Sequence, residues 1–240
     1  MSLENQTALV TGATRGIGRA IAKMFLTSKA NVVLCGRDAR SVDRAVSELA
    51  AETHGKVAGK AADVRNYDQV RALFEFADRH FGALDILVNN AGVGVFAPVS
   101  QLSVEDWLRV VQTNLDGAFY CSREALARFT SGTPRGGYIV NISSLAGKNP
   151  FAGGAAYNAS KFAMNGFSEA MMLDERYHNV RVSYIMPGSV ATEFGGHAPA
   201  DGEEWKIQPE DIAEIVRMLI SMPKRTLVSR VEVRPSQPKR

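Results

Sequence analysis

The sequence predicts an α/β protein: a doubly wound sheet of seven strands, mostly parallel, with helices on both faces. Two observations carry this. Short β-branched runs such as NVVLC and DILV suggest strands covered on both faces, as in a parallel sheet. These runs alternate with stretches of helical period along almost the whole chain, the mark of right-handed βαβ units.

The elements follow in order. TALVT (7–11) is a short apolar run that stops at a glycine, and GRAIAKMFLTS (18–28) has helical spacing. NVVLC (31–35) is a strand and SVDRAVSELAAET (41–53) a helix; KVAGKAAD (56–63) is a weaker strand before the helical YDQVRALFEFADRHF (67–81). LDILVNN (84–90) is the fourth strand, two helical stretches cover 103–130, and YIVNIS (138–143) is the fifth strand. A long helix over 154–176 precedes the strand VRVSYIM (180–186), and the helix PEDIAEIVRMLISM (209–222) precedes a last strand, LVSRVEV (227–233). No repeat, low-complexity tract or linker divides the 240 residues, and a 45% apolar content suits one core. A single domain over 1–240 is therefore expected.

Composition narrows the function classes. A net charge of +3 without a basic run interleaved with aromatics argues against nucleic acid, and the basic residues near the C-terminus (Arg230, Arg234, Lys239, Arg240) read as a solvated end. No run of 18 residues is free of charge and apolar enough for a membrane span, and the N-terminus lacks a leader pattern, so a cytoplasmic protein is expected. Cys35 and Cys121 each sit in apolar segments and read as buried small side chains. His54, His80, His178 and His197 lack the spacing of metal ligands, so no metal is expected. There is no GxSxG elbow and no carboxylate pair placed for hydrolysis.

The chemistry starts at TGATRGIG (11–18), between the first strand and its helix. Glycines at 12, 16 and 18 allow a tight turn and a close approach to a pyrophosphate, which the helix N-terminus attracts. A glycine triplet alone is weak evidence; its position after the first strand of an alternating chain strengthens it. Together with NNAG (89–92), NLDG (114–117), ISS (142–144), YNASK (157–161) and PGSVAT (187–192), the loop resembles the short-chain dehydrogenase/reductase family. It resembles the compact branch, including 3-oxoacyl-[acyl-carrier-protein] reductase-like members. The resemblance covers nearly the whole chain and implies a Rossmann fold whose one domain also carries the catalytic residues.

A dinucleotide site separates NAD from NADP at the end of the second strand, where an acid would accept from a free 2′-hydroxyl and repel a phosphate. Here that strand ends in Gly36-Arg37, with no acid at the position, and Arg37 can fork onto a phosphate. Arg15 offers a second cation, while Asp38 is near enough to offset Arg37 in part. NADP(H) is the expected cofactor. The resemblance places it against Gly12, Thr14, Arg15, Gly16, Ile17 and Gly18, with Asp63 and Val64 at the adenine. Asn90, Ala91 and Gly92 would pass the ribose, and Pro187, Gly188, Val190 and Thr192 the nicotinamide side.

Tyr157 and Lys161 stand four apart, on one face of a helix. An isolated YxxxK is ordinarily a surface Tyr beside a snorkelling Lys. A phenol with a pKa near 10 transfers protons poorly at neutral pH, and a nearby ammonium together with an oxidised nicotinamide would lower it. Ser144, thirteen residues before Tyr157 and at a strand end, can reach the ligand edge of the sheet. The resemblance implies that Ser144 holds the substrate oxygen, that Tyr157 protonates it, and that Lys161 tunes the phenol and holds the ribose. It further implies that Asn114 positions a water through its backbone.

The segment 193–207 is expected to form a substrate lid, with Phe194 and Trp205 as its aromatics. Val93, Val95, Phe96, Phe151 and Met186 are expected to line an apolar entrance. The first reading is thus an NADPH-dependent reductase of a ketone or aldehyde, with 3-oxoacyl thioesters among its candidate substrates. A secondary-alcohol dehydrogenase and a non-catalytic NADP-sensing binding protein are the alternatives. The ending VEVRPSQPKR departs from the family's usual glycine-rich strand, which bears on the tetramer common in it; a homo-oligomer, dimer or tetramer, is expected.

Overall fold

A computed structural model of the chain describes residues 2–131, 135–194 and 204–238. Seven strands, β1 (Thr7–Val10), β2 (Asn31–Gly36), β3 (Val57–Ala61), β4 (Ile86–Asn89), β5 (Gly137–Ile142), β6 (Val180–Pro187) and β7 (Arg230–Val233), form one sheet in the order β3-β2-β1-β4-β5-β6-β7. All six pairings are parallel, where the sequence led us to expect a mostly parallel sheet.

Seven α-helices accompany these strands: α1 (Gly16–Thr27), α2 (Ala39–Thr53), α3 (Tyr67–Phe81), α4 (Val104–Val111), α5 (Gly117–Thr130), α6 (Ala155–Glu175) and α7 (Pro209–Ser221). The alternation of side chains along each strand divides the core in two. Val10, Leu34, Val88 and Val140 face one side with Ile21 and Phe25 of α1, Leu49 of α2 and Val216 of α7. Leu9, Val33, Leu87 and Ile139 face the other with Phe74 of α3, Phe129 of α5 and Met171 of α6. Cys35 and Cys121 are free and fully buried, and burial pushes the Cys35 thiol up to about 11. Both behave as small apolar residues.

The sequence-based boundaries need three adjustments. The last strand is shorter than 227–233, because Leu227 and Val228 pack on the core without joining the ladder, which begins at Arg230. The second helix begins before 41, because Asp38 caps it. Between α4 and α5 the chain makes a π-helical turn, Gln112–Asp116, that no local pattern announced. Such turns concentrate at functional sites, and this one carries Asn114.

Candidate active site

The sheet reverses its winding between β1 and β4, so their following loops diverge and open a cleft at the carboxyl edge. The cleft encloses about 850 Å³. Its floor is the glycine loop. Gly12 has φ +63°, and a Cβ there would lie 2.8 Å from Ala91 Cα. Gly16 has φ +55° and would carry its Cβ 3.3 Å from Thr192 Cγ2, across the cleft. Gly18 is buried and does not line the cleft: a Cβ on it would strike the Asn90 amide and the Gly12 carbonyl, so its absence lets α1 sit tight under the loop.

Asn90 and Ala91 support this floor. The Asn90 side-chain amide donates to the Thr11 and Gly12 carbonyls at 2.9 and 3.0 Å. The backbone N–H groups of Asn90 and Ala91 both donate to the Thr11 hydroxyl at 3.0 Å. The N-terminus of α1 has no side-chain cap and no acid in its first turn, so its N–H groups and positive dipole end are left for an anion. A cradle that a Cβ would fill, backed by an uncapped helix start, fits a dinucleotide pyrophosphate. Thr14 and Ile17 complete this wall.

Arg37 lies exposed on the cleft rim just after β2. Asp38 does not offset it by contact. Its carboxylate accepts from the Ser41 N–H at 2.8 Å and the Ser41 hydroxyl at 2.7 Å, which caps α2 and holds the carboxyl below its usual range. Two expected cofactor contacts are already engaged. The Asp63 carboxylate is gripped by the Arg65 side chain and accepts from the Arg65 N–H at 3.0 Å, which lowers its pKa. Arg15 pairs with Glu193 at 2.6 Å across the cleft. Val64 is buried at the cleft wall beside Asp63.

At the far end, α6 presents Tyr157 and Lys161 one turn apart. The Ser144 hydroxyl lies beside the Tyr157 phenol and pulls its pKa down; it donates to the Pro187 carbonyl at 3.5 Å and caps the short turn that follows, accepting from the Ala146 N–H at 3.1 Å. Ser143, its neighbour, donates to Asn165 Oδ1 at 2.5 Å instead. Lys161 is 5% exposed; its Nζ donates to the Ile142 carbonyl at 2.9 Å and lies 5.7 Å from the Tyr157 ring centroid. Burial pushes the phenol above its ordinary 10.0, against a downward pull from Ser144. The same desolvation brings Lys161 itself down to about 8.

Asn114 does not line the cleft. Its side chain clamps Val93, accepting from the N–H at 2.8 Å and donating to the carbonyl at 2.9 Å. It also donates to Ser160 Oγ at 3.0 Å, and Ser160 in turn donates to the Tyr157 carbonyl at 2.8 Å. Ser160 therefore ties the turn carrying Asn114 to the helix carrying Tyr157. The sequence alone gives no sign of this role, although Ser160 lies inside YNASK beside Lys161.

Gly92, Pro187, Gly188, Val190 and Thr192 all border the cleft. The expected lid is rooted by a bridge between Val190 and Ile207, where the Ala191 N–H donates to the Ile207 carbonyl at 2.9 Å. Residues 195–203 of the lid, His197 among them, lie outside the described residues. Phe194 stacks against Tyr157 at 5.5 Å, Phe96 meets Tyr157 edge-on at 5.7 Å, and Phe151 packs on Phe96 at 5.7 Å. Each of the three rings remains about half exposed. Val93 joins this wall, whereas Val95 does not, Met186 is buried behind it, and Trp205 borders a separate groove beside the C-terminal segment.

Comparison with known proteins agrees with this geometry. The sequence profile of the short chain dehydrogenase family matches residues 6–202. A 3beta-hydroxysteroid dehydrogenase of Mediterraneibacter gnavus is 39% identical over 201 residues, covering 82% of this chain and 71% of that protein. An alcohol dehydrogenase of the archaeon Thermococcus sibiricus, solved with 5-hydroxy-NADP, superposes with a TM-score of 0.89 at 27% identity, over 98% of this chain and 99% of that one. A metagenomic short-chain oxidoreductase solved with NADP gives 0.86 at 36% identity, over 99% of this chain and 100% of that one.

Proposed function

The chain belongs to the short-chain dehydrogenase family, and from that premise we propose that it is an NADPH-dependent reductase of ketones or aldehydes with an apolar body. The observation that carries the reading is the placement of Ser144 beside the Tyr157 phenol in the same cleft as the glycine loop, with Lys161 buried behind it. The glycine loop and the start of α1 would hold the pyrophosphate, Arg37 the 2′-phosphate, and Lys161 with the Pro187–Thr192 loop the nicotinamide end. Arg37 and the absence of a carboxylate in contact with it favour the phosphorylated cofactor, as does the NADP in the metagenomic relative. When bound, the reduced nicotinamide supplies the hydride.

The protein's own part is proton delivery and positioning. A phenol held above its ordinary pKa keeps its proton at neutral pH and can release it only to an oxygen gaining negative charge. Ser144 is a second donor for that oxygen and so aims the carbonyl at Tyr157 Oη. The rings of Phe96, Phe151 and Phe194 exclude water around it and offer apolar surface to the rest of the substrate. A 3-oxoacyl thioester could enter as such a substrate, with its chain against the rings.

A second reading, oxidation of a secondary alcohol, is favoured by the dehydrogenase names of the relatives. It would use Tyr157 as base, and a raised phenol pKa makes that direction depend on high pH. NADPH oxidation measured against a carbonyl panel that includes an acetoacetyl thioester tests the reading. Turnover should fall by about a hundredfold to ten-thousandfold in Tyr157→Phe. Tight NADPH binding with no turnover of any carbonyl or alcohol would point instead to a cofactor-sensing protein.

A further inference from the structure

We propose that Glu193 is a cofactor-discriminating residue: its carboxylate holds the Arg15 guanidinium that a 2′-phosphate would otherwise take. Glu193 thereby sets how strongly the cleft prefers a phosphorylated dinucleotide. The inference rests on the reading of the cleft as a nicotinamide dinucleotide site. Its own evidence is the pair itself, Arg15 Nη1 to Glu193 Oε2 at 2.6 Å.

Glu193 is not a loose surface acid. Thr192 before it packs over Gly16, and Phe194 after it packs on Tyr157, so the carboxylate is delivered to Arg15 from both sides. Both side chains border the cleft and remain open to it, with exposures of 68% for Arg15 and 53% for Glu193. The other carboxylates nearby have different partners: Asp63 is bound by Arg65, and Asp38 caps α2. Arg37 makes no salt bridge among the described residues. Glu193 is therefore the acid in contact with a cation expected to meet the phosphate.

Two anions on one exposed guanidinium repel each other, so the Glu193 carboxylate and a 2′-phosphate compete for Arg15. An exposed pair is weak, worth up to about fivefold in an equilibrium constant, and the dianionic phosphate can displace it. The displacement lowers the apparent affinity for the phosphorylated ligand and leaves the ligand without the 2′-phosphate almost untouched.

Calorimetric binding of two fragments, adenosine 2′,5′-bisphosphate and 5′-AMP, tests this without relying on turnover. Glu193→Gln should tighten the bisphosphate about threefold to fivefold and change 5′-AMP by less than about twofold. In Arg15→Gln/Glu193→Gln the gain over Arg15→Gln should vanish. Equal tightening of both fragments, or a gain that persists without Arg15, would show a general charge effect and overturn the proposal. If the wild type prefers the bisphosphate but Glu193→Gln leaves the preference unchanged, the cofactor reading stands and this inference falls. If neither protein distinguishes the fragments, both fall.

Discussion

At the scale of single residues, Lys161 joins stability to function. Its ammonium sits in an almost closed environment with the Ile142 carbonyl as its hydrogen-bond acceptor, and desolvation brings its pKa from 10.5 to about 8. The unfolded chain therefore binds more protons than the folded one between those two values. Stability rises with pH wherever the unfolded state holds more protons, so the cost of burying this charge is fully present below pH 8 and relieved above 10.5. At most about 3 kcal/mol is involved. Lys161→Met removes the titration. Denaturant unfolding of both proteins between pH 7 and 11 should show the wild type gaining on the variant as pH rises; a constant difference would mean that the amine is not desolvated. A residue that costs stability at the pH where it carries its charge fits a site selected for ligand contact rather than for packing.

At the scale of elements, two glycines in helices separate backbone necessity from simple tolerance. Gly→Ala in a helix ordinarily stabilises by about 1 kcal/mol. Gly166 in α6 has no atom within 4 Å of an added Cβ, so Gly166→Ala should follow that rule and raise the melting temperature by about 2–4 °C. Gly18 in α1 would drive its Cβ into the Gly12 carbonyl, a backbone atom that cannot swing away, so Gly18→Ala should instead cost about 1–3 kcal/mol and weaken dinucleotide binding. Thermal melts and fluorescence titration of the two variants check both signs, and a stable Gly18→Ala would refute the close packing of α1 against the loop. This contrast also shows what could be read beforehand. The order of strands and helices, the glycine loop, and the pairing of Tyr157 with Ser144 and Lys161 were legible, because they depend on period and spacing within short segments. The grip of Arg65 on Asp63, the Asn114–Ser160–Tyr157 chain and the Arg15–Glu193 pair were not. The last two join residues 46 and 178 positions apart, and only the folded loops bring them together. The first is local, but nothing in DVR distinguishes a chelating arginine from an exposed one.

At the scale of the whole molecule, each strand from β1 to β6 sends a loop into the cleft, so a ligand there bears on both halves of the core at once. The two halves share the sheet, with neighbouring residues of one strand, such as Leu9 and Val10, belonging to opposite sides. Neither half can open without exposing the other's strands, so one cooperative unfolding transition is expected. Circular dichroism follows the helices, while fluorescence follows Trp107 on α4 and Trp205 beside the lid root; the two melts should coincide, and separated midpoints would divide the domain. A ligand at about a hundred times its dissociation constant stabilises the folded state by about 2.7 kcal/mol. In a domain of this size, that raises the melting temperature by about 5–10 °C. On the proposed reading NADPH should produce this shift at concentrations where NADH produces much less, because Arg37 and Arg15 would add contacts for the 2′-phosphate alone. Equal shifts from the two cofactors would remove both arginines from the account of selectivity and leave only the shared pyrophosphate cradle of Gly12, Gly16 and the α1 N-terminus.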